Sequence, residues 1–193
     1  MPSLSEADRN AILELTRQGV HHAVWHEGPL PAFPTTGIFA ERRGLFVTLH
    51  VAKKLRGCIG VIEGCTNLGE ALARCAADAA LHDPRFSRVR PEEMDALDIE
   101  VSLLTPPYPI RPEEVDIGVH GLLVERGTRR GLLLPQVALE HRLGREQFLS
   151  ETCAKAGLPR EAWKDPETKL YGFQCEIIAE ASSPLAEKQS PRQ

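Results

Sequence analysis

Lys54-Leu55-Arg56-Gly57-Cys58-Ile59-Gly60, read with Leu45-Phe46-Val47-Thr48-Leu49-His50-Val51 just before it, decides how this chain folds. Both runs alternate as half-buried strands do, because successive side chains of a strand point to opposite faces. Leu45, Val47, Leu49 and Val51 share one face, Leu55 and Ile59 join them, and Arg56 and Cys58 take the other. Residues paired across an antiparallel ladder share a face. A core holding Leu49, Val51, Leu55 and Ile59 therefore requires paired residue numbers with an even sum. A three-residue turn, Ala52-Lys53-Lys54, supplies one. Val51 then opposes Leu55, His50 opposes Arg56, and Thr48 opposes Cys58. A slip of one residue would carry Arg56 among the core leucines, where an unpaired charge is costly.

The same reading extends outward. Ser5 caps a first helix, with Asp8 three residues on; Ala11, Ile12, Leu15, Gly19, Ala23 and Val24 form its apolar stripe. A loop rich in Pro and Gly covers 27–37. Asn67 caps a second helix that runs to Leu81, with Glu70 at its third position. Leu68, Leu72, Cys75, Ala76 and Ala79 make its buried stripe, and Asp83-Pro84 ends it. From Asp98 to Leu104 the chain alternates again, with Ile99, Val101 and Leu103 inward and Glu100 and Ser102 opposite. Pro106, Pro107 and Pro109 stop that strand.

The second half reprises this order. Gly121-Leu122-Leu123-Val124 echoes Gly44-Leu45-Phe46-Val47, and Glu176-Ile177 echoes Glu100-Val101. A hairpin arm from Gly131 to Leu134 and a helix from Arg145 to Ala156 lie between. Two units of hairpin, helix and strand predict a duplicated α+β fold in two subdomains, with mostly antiparallel strands and flanking helices. The domain spans 1–181, its first repeat about 38–105 and its second about 118–180. The polar tail 182–193 reads as disordered.

Composition narrows the function classes. The chain has 193 residues, a net charge of -4 and 42% apolar residues. An acidic balance with few aromatics counts against a nucleic-acid partner. No run approaches the ~18 apolar residues of a membrane span. The segment Met1-Pro2-Ser3-Leu4-Ser5-Glu6 lacks the basic and apolar regions of a signal peptide, so the expected location is cytoplasmic. Five cysteines, at 58, 65, 75, 153 and 175, form no C-x-x-C pair; reduced thiols are expected rather than disulfides or a structural zinc site. His22 and His26 stand four apart, but no acidic residue in that motif serves as a base, and no metal is expected.

The polar side of the first sheet collects Thr48, His50, Arg56 and Cys58, and adds Glu100 and Ser102 if the strand 98–104 joins it. A nearby cation lowers a thiol's pKa. Cys58 is thus a candidate nucleophile, His50 a candidate base and Glu100 an orienting carboxylate. Gly57 and Gly60 remove bulk beside them. His82-Asp83-Pro84-Arg85-Phe86 is a second cluster, which puts Asp83 and Arg85 at the rim of the Cys58 pocket. The bland counterparts are a buried cysteine beside a snorkelling arginine, and a proline-fixed helix stop.

Leu55-Arg56-Gly57-Cys58-Ile59-Gly60 is also the hallmark of the AMMECR domain family. Three further blocks agree with it: Ala80 to Phe86, Ile99 to Leu104, and Gly131 to Ala138. Thr152 to Pro159, followed by Trp163, resembles the family's C-terminal region. Glu140-His141-Arg142-Leu143 departs from it, where the family often carries an aromatic pair. The resemblance implies a duplicated α+β fold with a barrel-like sheet and two subdomains, and a partnership with a radical-SAM protein and a Memo-like protein. It assigns neither a reaction nor a cofactor, and both stay open. Three functions follow as expectations. The first is a cleft around Arg56 and Cys58 that receives a small molecule or a partner protein. The second is a stand-alone thiol enzyme, and the third a nucleic-acid-associated regulator.

Overall fold

The computed structural model describes residues 4–25, 30, 32–64 and 66–180. Cys65, His26 and the tail 182–193 lie outside them. In chain order the elements are α1 (Glu6–Trp25), β1 (Leu45–Val51), β2 (Lys54–Val61), α2 (Leu68–Leu81), β3 (Leu97–Leu104), β4 (Tyr108–Pro109), β5 (Gly121–Arg126), β6 (Arg129–Leu133), α3 (Pro135–Glu140), α4 (Arg145–Lys155), β7 (Lys169–Phe173) and β8 (Cys175–Ala179). Ser5 accepts a hydrogen bond from the Asp8 amide, and Asn67 from the Glu70 amide, so both expected caps form. Among the described residues no helix is long and apolar enough to cross a membrane.

The fold is α+β, and its strands form two four-stranded sheets, β2-β1-β3-β8 and β4-β7-β5-β6. The barrel-like sheet implied by the resemblance is replaced by these two sheets, and neither closes on itself among the described residues. The chain divides into two compact units. One is residues 1–103 with the segment from 176 onward; the other is 104–175. Each contains hairpin, helix and strand, in the matching orders β2-β1-β3 and β6-β5-β7. Glu176-Ile177, read as the closing strand of the second repeat, lies instead in β8 of the first sheet; β7 holds the place next to β5. The short helix α3 was not foreseen.

In the first unit Leu45, Val47 and Leu49 face Leu103, Val101 and Ile99, and all six are buried with Ile12, Leu72 and Ala76 of the two helices. Burying each of these aliphatic side chains contributes roughly 1.5–3 kcal/mol relative to leaving it in water. Gly57 lies on that same face. A Cβ there would overlap the Ala79 carbonyl oxygen of α2, so the glycine lets helix and sheet close up. The second unit repeats the device, with Gly131 of β6 against Ala156 at the end of α4. Leu68 and Arg145, which start the two helices, are 77 positions apart, and so are Ala79 and Ala156.

Candidate functional site

The first hairpin follows the expected pairing from Leu45–Val61 through Thr48–Cys58 to Leu49–Gly57, then departs from it. His50 pairs with Leu55 and Val51 with Lys54. The turn has two residues rather than three. Ala52 (φ 49°) and Lys53 (φ 64°) both adopt left-handed backbone, as a type I′ turn requires. A two-residue turn gives the wrong parity for burying Leu49 and Ile59 together. A bulge at Arg56 restores it. Three expectations fall with this. His50 does not oppose Arg56, Leu55 is 40% exposed rather than inward, and Arg56 does not share the face of Cys58.

Arg56 instead reaches the segment after α2. Its Nε donates to Glu93 at 2.7 Å and one terminal nitrogen donates to the second carboxylate oxygen at 3.0 Å. The other donations go to the carbonyls of Ser87 (2.7 Å) and Arg88 (2.9 Å). Such a bidentate pair fixes orientation as well as charge. The Arg56 guanidinium holds Glu93 down at about 2, and the Arg90 amide assists. Glu93 is the residue the sequence did not point to, because nothing local ties position 93 to position 56.

Asp83 and Arg85 meet Cys58 through its backbone. In an antiparallel ladder the N–H and C=O of alternate residues point away from the partner strand. At the edge strand β2, the amide of Cys58 donates outward to Asp83 (2.8 Å), and its carbonyl accepts from Arg85 (3.3 Å). Asp83 is buried and accepts two further bonds from the Arg85 guanidinium and one from its amide. Those bonds lower its pKa to about 2, the Arg85 side chain being the largest cause. The segment 83–93 therefore covers the open edge of the first sheet, a standard protection of such edges. His82 turns back to Asp78 of α2 at 2.9 Å.

What the structure does bring together is a row across three strands, on the face away from α2. Cys58, Thr48 and Glu100 are cross-strand neighbours. The Thr48 hydroxyl donates to the Cys58 sulfur at 3.4 Å. Glu100 is only 3% exposed and Ser102, opposite Phe46, only 1%. His50 lies one row along, between Leu55 and Asp98. Gly60 makes room for the Phe46 ring, a packing role. Burial pushes the Cys58 thiol above its ordinary pKa. The Thr48 hydroxyl and Arg85 pull it down, and Asp83 and Glu100 push it further up. Among the described residues no group of three or more His, Cys, Asp or Glu side chains is placed to hold a metal ion.

The second unit supplies an internal comparison. Leu49–Gly57 corresponds to Val124–Gly131, so the Thr48–Cys58 pair corresponds to Leu123–Leu132 and Glu100 to Tyr171. The same fold position thus accepts two leucines and a tyrosine, with no thiol and no carboxylate. The polar row of the first unit is not demanded by the architecture.

Comparison with known proteins gives a consistent picture. A family model described as AMMECR1 matches residues 13–178. A protein of Methanothermobacter thermautotrophicus is 51% identical over 150 residues, covering 74% of this chain and 78% of its own. One of Thermococcus kodakarensis is 43% identical over 181 residues, 88% of each chain. The crystal structure of an uncharacterized protein from Pyrococcus horikoshii superimposes with a TM-score of 0.85 at 39% identity, covering 94% of this chain and 95% of that one.

Proposed function

The chain belongs to the AMMECR1 family, and from that premise we propose that it is a binding protein whose site is the Cys58–Thr48–Glu100 row, entered over half-buried Cys58, Thr48 and His50, with the buried Glu100 and Ser102 behind them. The row receives a polar group of a small molecule or of a partner protein. The partners proposed are the radical-SAM and Memo-like proteins that the family resemblance implies. The observation that carries the reading is the internal comparison: where the first unit has cysteine, threonine and buried glutamate, the second has Leu132, Leu123 and Tyr171. Burying a carboxylate costs several kcal/mol unless it is compensated. A fold that accepts tyrosine at the matching place has no architectural need of it.

Arg56, Gly57, Asp83 and Arg85 leave the ligand set in this reading. The two arginines are held by Glu93 and Asp83, and the glycine serves helix packing. The thiol-enzyme reading loses support as well, because the surroundings of Cys58 favour the protonated form.

The test converts two of the row's three positions to their counterparts and keeps Glu100. Thr48→Leu with Cys58→Leu should leave the far-UV circular dichroism unchanged. Recovery of the radical-SAM and Memo-like proteins from native extract, or of a bound small molecule by native mass spectrometry, should fall at least about tenfold. Cys58→Ser, which keeps the row polar, should retain most of it. Equal recovery with the double variant would remove the row as the site.

A further inference from the structure

The two units treat the same sheet edge differently. In the first, the outward amide and carbonyl of Cys58 on β2 are taken up by Asp83 and Arg85. The corresponding residue on β6, also the last strand of its sheet, is Leu132. The β5–β6 turn has two residues, Gly127 and Thr128, so Arg126–Arg129 is a hydrogen-bonded pair and alternation makes Leu123–Leu132 a non-bonded one. The N–H and C=O of Leu132 therefore point off the sheet. Counting 77 positions on from Asp83 and Arg85 gives Arg160 and Ala162, which cannot repeat the cap. Arg160 pairs with Glu151 instead. Among the described residues nothing bonds to the outward groups of Leu132.

We propose that the β6 edge docks an extended, acidic segment of a partner protein, which adds to the second sheet as a fifth strand. Open edges are the usual templates for such strand addition. The charge around the edge selects the occupant. Arg129 and Lys155 have no acidic partner among the described residues, although the chain as a whole carries a net charge of -4. Arg129 binds the Gly157 carbonyl at 2.9 Å, which places it beside the end of α4, where Lys155 sits. A cavity of about 470 Å³ opens alongside, walled by Leu133, Val137, Leu143 and Ala154, with Lys155 and Glu151 at its polar side. Leu133 ends β6 on the helix-covered face, so an added strand would present an apolar side chain next to it. The occupant is thus an alternating segment, with acidic residues toward Arg129 and Lys155 and one aliphatic residue for the cavity.

The probe is a fluorescein-labelled peptide alternating glutamate with valine and leucine, against a lysine-for-glutamate control, read by fluorescence anisotropy on the full chain. The glutamate peptide should bind, more weakly as salt rises, and the lysine peptide should not. Leu132→Pro removes one outward donor that the β5–β6 ladder does not use. It should weaken binding about tenfold. Arg129→Glu with Lys155→Glu changes exposed positions only, and should reverse the preference between the two peptides. Hydrogen exchange gives a reading independent of any variant. The Leu132 amide should exchange fast in the free protein and become protected by the glutamate peptide. A slow Leu132 amide in the free protein, or peptide binding indifferent to both variants, would overturn the proposal. So would self-association of the chain through this edge, abolished by Leu132→Pro, which would assign the edge to a second copy.

Discussion

A thiol attacks as its thiolate, and the surroundings of Cys58 favour the proton instead. Burial is the largest cause, and the carboxylates of Asp83 and Glu100 add to it; Arg85 and the Thr48 hydroxyl act the other way without prevailing. Arg56, the cation that sequence proximity suggested, contributes elsewhere. Alkylation of Cys58 by iodoacetamide near pH 7.5, followed by peptide mass mapping, should therefore run at least about threefold slower than a model thiol. The rate should climb as pH rises beyond the ordinary thiol range. A rate above the model thiol would restore Cys58 as a nucleophile. The thiol, the glycines and the two arginines were all legible as special residues. Their roles were not, because role depends on distant partners: Arg56 on Glu93, Gly57 on Ala79, Cys58 on Asp83 through its backbone.

At the scale of elements, alternation and capping located most strands and helices, because both are local signals. Thr48 opposite Cys58 was also legible, since the buried leucines fix the phase of β1 and β2. The turn is one residue shorter than alternation predicts, for a physical reason. Type I′ turns favour Asn-Gly, and Ala52-Lys53 carries neither; the bulge at Arg56 then made good the parity that a longer turn would have supplied. That bulge frees Arg56 to clamp the segment 83–93 over the edge of β2. The clamp should set the acid limit of the first unit. Asp83 and Glu93 are each lowered to about 2, from ordinary values of 3.8 and 4.5. A depressed carboxylate contributes fully above its unfolded pKa and loses that contribution as pH falls through its folded one. The window is thus about pH 5 down to pH 2, with roughly 2 kcal/mol at stake for Asp83 and roughly 3 kcal/mol for Glu93. Urea unfolding across this range should show Glu93→Gln less stable than the parent at neutral pH and the two converging toward pH 2. Parallel acid limbs would show that the Arg56–Glu93 pair does not report on folding.

At the scale of the whole molecule, the duplication was legible and its closure was not. Strand pattern tells which face is apolar but not which sheet a strand joins, so sequence order alone assigns β8 to the nearer repeat, whereas it lies beside β3. Its actual position makes the first unit depend on the far end of the chain. Ile178 is buried in the first core. Glu176 pairs with Arg9, and Glu180 pairs with Arg17 while accepting from the Ile99 amide at 2.8 Å. The Glu180 amide also donates to the Ile99 carbonyl at 3.1 Å. Losing one buried isoleucine costs roughly 2 kcal/mol, and the bonded carboxylates add to that. Against a domain stability of about 5–15 kcal/mol the total is a large fraction. The chain's two tryptophans can locate the loss, since Trp25 lies in the first unit and Trp163 in the second. In a chain ending at Gln174, thermal unfolding followed through Trp25 alone, with Trp163→Phe, should fall by about 5 °C or more relative to the full chain. Followed through Trp163 alone, with Trp25→Phe, the fall should be smaller. Equal shifts at the two reporters would mean that the dependence on β8 is not confined to the first unit, and an unchanged Trp25 midpoint would mean that β8 adds little to the sheet it completes.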